Sequence, residues 1–187
     1  MLYPDVILYR LEKLIFAPLV NPEMLWILFP IALSLLIMEF YYTRHPDSLG
    51  WDTAFSNSLV LIFVSVDIIR NISQRYSFFF EAERTVMLIA FMLFTGFALS
   101  FMNFTKRWGP HSAFKFSKPI LIYFFAYVSV ILVYSVNIPT DWNTIAAAAI
   151  LFFIVYFVVK TMAMFIPEHK EHPTYLRKSY QQGKIKS

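Results

Sequence analysis

PILIYFFAYVSVILVYSVN (Pro119–Asn137) and NTIAAAAILFFIVYFVVKTMAMF (Asn143–Phe165) are separated only by the short link IPTDW (Ile138–Trp142), and over the whole stretch only Asp141 and Lys160 carry a charge. At about 1.5 Å of rise per residue, an apolar helix of roughly 20 residues matches the roughly 30 Å of hydrocarbon in a bilayer. Two such runs joined by so short a link must form an antiparallel helical hairpin, because a chain in lipid has to satisfy its backbone groups within each segment. This hairpin decides the class of the fold.

Three more runs of the same kind precede it. The chain therefore reads as all-α, a polytopic membrane bundle of five transmembrane helices at about 23–42, 52–71, 84–104, 119–137 and 143–165. The bundle occupies residues 22–165 and is followed by a basic tail, 166–187. Trp26, Trp51, Trp108 and Trp142 each fall at or just beyond the end of a span, where an interfacial aromatic belt is expected. Thr105–Lys118 reads as a basic loop and Ile72–Glu83 as a loop with an aromatic middle. No internal repeat argues for a transporter built from two inverted halves.

Composition agrees with this class. Apolar residues make up 58% of the chain and charged residues 15%, against roughly 45–50% and about 25% in soluble domains. The loops are too short to fold alone, which excludes a separate soluble catalytic domain within these residues. There is no cysteine, so disulfides, thiolate nucleophiles and thiolate metal sites are excluded.

Residues 1–21 read as an interfacial amphipathic helix rather than a cleavable leader, since Asp5, Arg10, Glu12 and Lys13 interrupt any apolar core. Asp5 is expected to cap it. Ile7, Leu8, Leu11, Leu14, Ile15 and Pro18 fall on one side, with Arg10 and Lys13 on the other, so the helix should lie on the membrane or pack against a partner subunit.

Orientation follows from the cations. With five spans, Arg44, Lys106, Arg107, Lys115, Lys118, Lys170, Arg177, Lys178, Lys184 and Lys186 share the side of the tail, against Arg10, Lys13, Arg70, Arg75 and Arg84 on the other. The positive-inside rule then makes the chain a multi-pass protein of the cell membrane with a cytoplasmic C-terminus. A re-entrant second segment would leave four spans with both termini inside.

The polar side chains inside the spans are the candidates for function. On a helical wheel Asp52, Ser56, Val60, Phe63, Asp67, Arg70 and Asn71 share one arc of the second span, with Asn57 nearby; this face should point into the bundle or at a partner. Asp67 and Arg70 are spaced to pair. Glu39 and Lys160 would sit at similar depth and could form an interhelical salt bridge. Gly96 with Ser100, and Ala146–Ala149, allow close helix contact, and Tyr123, Tyr127 and Tyr134 line one face of the fourth span.

Lys170, Arg177, Lys178, Lys184 and Lys186 are expected to contact anionic lipid headgroups. His169 and His172 are spaced for a divalent metal, but Pro167 and Pro173 bracket them too tightly for a stable helix, so no metal or other cofactor is expected. No folded basic platform for nucleic acid is present. Asn71-Ile72-Ser73 matches a glycosylation sequon.

The first hairpin, from MLWILFPIALSLLIMEFYY (Met24–Tyr42) through LGWDTAFSNSLVLIFVSVDIIR (Leu49–Arg70), resembles small multi-span membrane proteins of archaeal type. Trp26, Glu39, Phe40, Leu49, Gly50, Asn57 and Asp67 carry the resemblance. It implies that the hairpin is a unit and brings no function with it. From the residues, the expected role is a non-enzymatic membrane subunit, assembling as a homo-oligomer or within a larger complex. A small channel or transporter lined by the second span, and a membrane-surface enzyme using cytoplasmic histidines, are the alternatives.

Overall fold

The computed structural model describes residues 3–44, 50–75, 83–135 and 138–165. Among these residues every regular element is helical: α1 (Pro4–Val20), a single 3-10 turn (Pro22–Met24), α2 (Leu25–Arg44), α3 (Trp51–Arg75), α4 (Glu83–Phe104), α5 (Pro110–Phe116), α6 (Pro119–Tyr134) and α7 (Trp142–Met164). Five segments are long and apolar enough to cross a membrane: Pro22–Tyr42, Trp51–Gln74, Thr85–Phe104, Pro110–Tyr134 and Trp142–Met164.

Side-chain contacts fix the direction of each span. Residues near the start of α3, the end of α4 and the start of α6 meet at one end of the bundle, and so do residues late in α2 and late in α7. Residues late in α3 and at the end of α6 meet at the other. The spans thus alternate in direction, and α3 runs unbroken for 25 residues, about 37 Å. A re-entrant second segment is not what this chain adopts. The polar groups that suggested it are accommodated by neighbouring helices and by the helix ends.

α6 is the centre of the bundle, packed against α1, α2, α3 and α7, with Ile122, Ala126, Val130 and Ile131 buried. The outward faces are apolar: Phe91, Phe94, Phe97, Phe101 and Phe104 stripe α4, and Phe153 and Phe157 stand out from α7. An outer surface of this kind suits lipid.

The tightest pair is α3 with α4, and glycine makes it possible. A Cβ on Gly96 would lie 2.9 Å from Ile62 Cγ1, 3.1 Å from Leu61 Cβ and 3.3 Å from the Ile62 backbone nitrogen. Ser100, one turn further on, is buried in the same helix. This is the small-residue packing by which membrane helices gain dispersion contacts in the absence of a hydrophobic driving force.

Several boundaries differ from those read in the sequence. α1 begins at Pro4 with Tyr3 in the capping position, and Asp5 lies within the first turn instead of capping it. The helix is held by its own chain: the Tyr3 amide donates to Asn143 Oδ1 (3.1 Å) and the Tyr127 hydroxyl to the Leu14 carbonyl (3.1 Å). Leu14, Ala17 and Pro18 are buried, while Leu8 and Ile15, expected on the same side, are exposed with Phe16 and Leu19. The reason is that packing against α6 and α7 selects a narrower stripe than membrane contact alone. The expected loop 105–118 contains α5, started by Pro110 after Gly109 and anchored by the fully buried Ala113. α3 continues through residues 72–75, which were expected in the loop 72–83.

α7 starts with a side-chain cap. Asp141 accepts from the Thr144 amide (2.8 Å) and the Thr144 hydroxyl (2.9 Å) at the start of α7. Those bonds, with nearby Arg10 adding to them, hold its carboxyl below the usual carboxylate range. The cap is therefore ionised at neutral pH and weakens only on acidification through that lowered value.

Replacing Gly96 by leucine should separate α3 from α4 and destabilise the bundle by about 1–3 kcal/mol, as overpacking of a close contact does. Gly96→Ala should already cost part of this, because Leu61 Cβ at 3.1 Å and the Ile62 nitrogen at 3.3 Å are fixed to the α3 backbone and the branched Ile62 side chain is stiff at χ1. Thermal unfolding of the two purified variants in the same detergent checks the order.

Candidate functional site

Water is absent from the hydrocarbon, so polar side chains in the spans are favoured where they find a partner in protein, although Asn57 Oδ1, Ser100 Oγ and Ser129 Oγ are buried without one among the described residues. The most concentrated set of such partners lies at the end of the bundle where α3 begins. Asn57 is fully buried and donates through Nδ2 to the Ser117 carbonyl at the α5–α6 junction (2.8 Å). Asn103, near the end of α4 and 1% exposed, donates to Ser117 Oγ (3.1 Å) and lies 3.4 Å from Ser58 Oγ. Ser58 donates to the Ala54 carbonyl within its own helix (2.8 Å).

Two indoles close this cluster. Trp108 Nε1 donates to Asn103 Oδ1 (2.7 Å), and Trp51 Nε1 donates to the Trp108 carbonyl (2.8 Å). From α2 the Tyr42 ring meets Phe114 of α5 edge-on, centroids 5.1 Å apart. One neutral hydrogen-bond network thus joins α3, α4 and the α5–α6 junction.

Two charged contacts tie other helices. Lys160 on α7 donates to the Glu39 carboxylate on α2. Glu39 is buried, while Lys160 is 40% exposed and also lies over the Tyr156 ring at 6.0 Å. At the opposite end Arg70 Nη2 donates to Asp67 Oδ1 (2.6 Å), and Tyr134 at the end of α6 donates to Asp67 Oδ2 (2.8 Å). The carboxylate of Asp67 thereby accepts from its own helix and from α6.

The polar arc on the second span does not enter the bundle as a unit. Asp52, Ser56 and Arg70 are exposed, and Phe63 between them is 70% exposed. Ser56 Oγ donates to the Asp52 carbonyl within the helix (2.9 Å). Asn71 is partly buried. The inward face is instead Ala54, Asn57, Ser58, Leu61, Val64, Ser65, Ile68 and Ile72. Of the two expected orientations, into the bundle or at a partner, the inward one does not hold: Asp52 and Arg70 lie near the helix ends, where water is within reach and no partner inside the bundle is required.

Asn103, Ser117 and the two indole donors were missed by reading the sequence. Asn103 stands in an apolar run four residues before Arg107, which makes it look like the boundary of a span, and nothing local connects it to Ser117 or Asn57. The basic residues Lys170, Arg177, Lys178, Lys184 and Lys186, and His45, His169 and His172, lie outside the described residues. His111 is exposed on α5. Among the described residues no group of three or more His, Cys, Asp or Glu side chains is placed to hold a metal ion.

No protein-family model matches the chain, and neither a curated protein nor a solved structure matches it. Function must accordingly be argued from the contacts themselves.

Lys160→Met should destabilise the bundle by no more than about 3 kcal/mol, because it strands a buried carboxylate but the lysine it removes is partly solvated. Adding Glu39→Leu to the same chain should restore most of the loss. A denaturant titration of the single and double variants in mixed micelles checks both statements.

Proposed function

We propose that this chain is a non-enzymatic integral membrane subunit that assembles with copies of itself or within a larger membrane complex. The observation that carries this reading is how the polar side chains of the spans are used. The Asn57 network and the Asp67 contact each join helix to helix, and the stretch of α3 between them turns Leu61, Val64 and Ile68 inward. Ser65, in the same stretch, bonds the Leu61 carbonyl of its own helix at 2.6 Å. This pattern belongs to packing, where polar groups act as glue between helices. It also fits placement in the cell membrane with the basic end of the bundle and the tail in the cytoplasm, α1 lying near the outer surface.

Assembly is assigned to the outward arc of α3. Asp52, Ser56, Phe63, Val66 and Arg70 are all exposed and recur at the three- and four-residue spacing by which one helix meets another. A second reading rests on the same arc. If copies gather around α3, Asp52, Ser56 and Arg70 converge on a shared axis with Phe63 as an apolar constriction, the arrangement of a channel gated by dewetting.

The chain has no cysteine, so single substitutions report contacts cleanly. Phe63→Cys should cross-link to a second chain in native membranes under mild oxidation, while Phe94→Cys on the lipid-facing stripe of α4 should not. A monodisperse monomer with no cross-link at Phe63 to any protein would overturn the assembly reading. Ion flux in liposomes separates the two readings: flux that rises on Phe63→Ala supports the channel, and its absence in both chains supports the structural subunit.

A further inference from the structure

We propose that the elbow between α4 and α6 is a preformed binding site for the headgroups of anionic phospholipids. Lys106, Arg107, Lys115 and Lys118 are all exposed there, and none takes part in an ion pair among the described residues. Between Glu83 and Asp141 the chain has no acidic residue. On the neighbouring turn of α3 there is one exposed carboxylate, Asp52. Four exposed cations at one end of the spans, with Asp52 the one exposed carboxylate beside them among the described residues, complement the phosphodiester layer of an acidic membrane surface.

The elbow is also rigid. Trp108 is bonded to Asn103 and accepts from Trp51 through its carbonyl, and its ring stacks on Phe116 at 5.3 Å with planes 7° apart. Lys106 Nζ lies over the Trp51 ring at 5.2 Å, and the Arg107 guanidinium lies over Phe101 at 5.6 Å. The cations are thus carried on aromatic platforms, and the tryptophans have the amphipathic character of interfacial anchors.

Lys106 occupies an unfavourable backbone position. α4 ends in the manner of a Schellman motif: the Arg107 amide donates to the Met102 carbonyl and the Lys106 amide to Asn103, both at 3.2 Å. The residue in the left-handed position is Lys106, with φ 53°, and no other non-glycine among the described residues has positive φ. Glycine adopts this conformation freely and lysine does not. The local backbone would be more stable with glycine, so Lys106 carries a conformational cost that glycine would not.

That conflict supplies the test. The full chain is purified in neutral maltoside detergent, and its thermal midpoint is followed while phosphatidylglycerol, phosphatidylcholine or inorganic phosphate is added. Wild type should gain stability with phosphatidylglycerol alone, as expected of a ligand that binds the folded state. Lys106→Gly should match or exceed the wild-type midpoint in detergent alone, yet require about fivefold more phosphatidylglycerol for the same shift. Lys115→Gln with Lys118→Gln should require about fivefold more for each charge removed.

A chain with Lys170, Arg177, Lys178, Lys184 and Lys186 all changed to glutamine should keep the elbow's response. The proposal is overturned if the elbow variants respond to phosphatidylglycerol as wild type does, or if neutralising the tail abolishes the response. It is equally overturned if phosphatidylcholine or inorganic phosphate raises the midpoint as much.

Discussion

A buried amide in a bilayer has no water to fall back on, and in this protein that constraint falls on Asn57 and Asn103. Their side chains reach Ser117 from two different helices, so the start of α6 is set against α3 and α4 at once. With the direction of α6 settled, Tyr134 is brought to Asp67 at its far end and Tyr127 to the Leu14 carbonyl near its middle. The central helix is thus held by hydrogen bonds at its beginning, middle and end, and the apolar core fills the intervals.

Apolar burial cannot by itself choose among arrangements in lipid, because a leucine gains little by exchanging a lipid chain for a neighbouring helix. Close packing and polar contacts have to make the choice. Here they divide the work by location. Gly96 brings α4 onto α3 in the middle of the span, where a polar group would be most costly. The two amides, the Tyr134 hydroxyl and the two charged contacts lie toward the ends, where α2, α6 and α7 are joined to their neighbours.

The five spans were legible in the sequence because length and apolarity are local properties, as at Pro119–Phe165. Contacts between distant residues were less so: Glu39 and Lys160 could be matched by depth alone, but Asn103 and Ser117 gave no local signal linking them to Asn57. α5 was hidden because a seven-residue helix, opened by Gly109-Pro110 and flanked by Lys106, Arg107 and Lys118, resembles a basic loop. The arc from Asp52 to Arg70 was expected to face the bundle interior or a partner on the rule that polar groups avoid lipid. That rule weakens near helix ends, and the arc's centre, Phe63, is apolar and faces outward.

The central claim is that the buried amides bind helices together and act as one unit. A double-mutant cycle on Asn57→Leu and Asn103→Leu, with unfolding free energy measured in mixed micelles, tests it directly. Residues that share a partner should be non-additive, and a coupling of at least about 0.5 kcal/mol is expected. Strict additivity, or two variants as stable as the parent chain, would contradict the account.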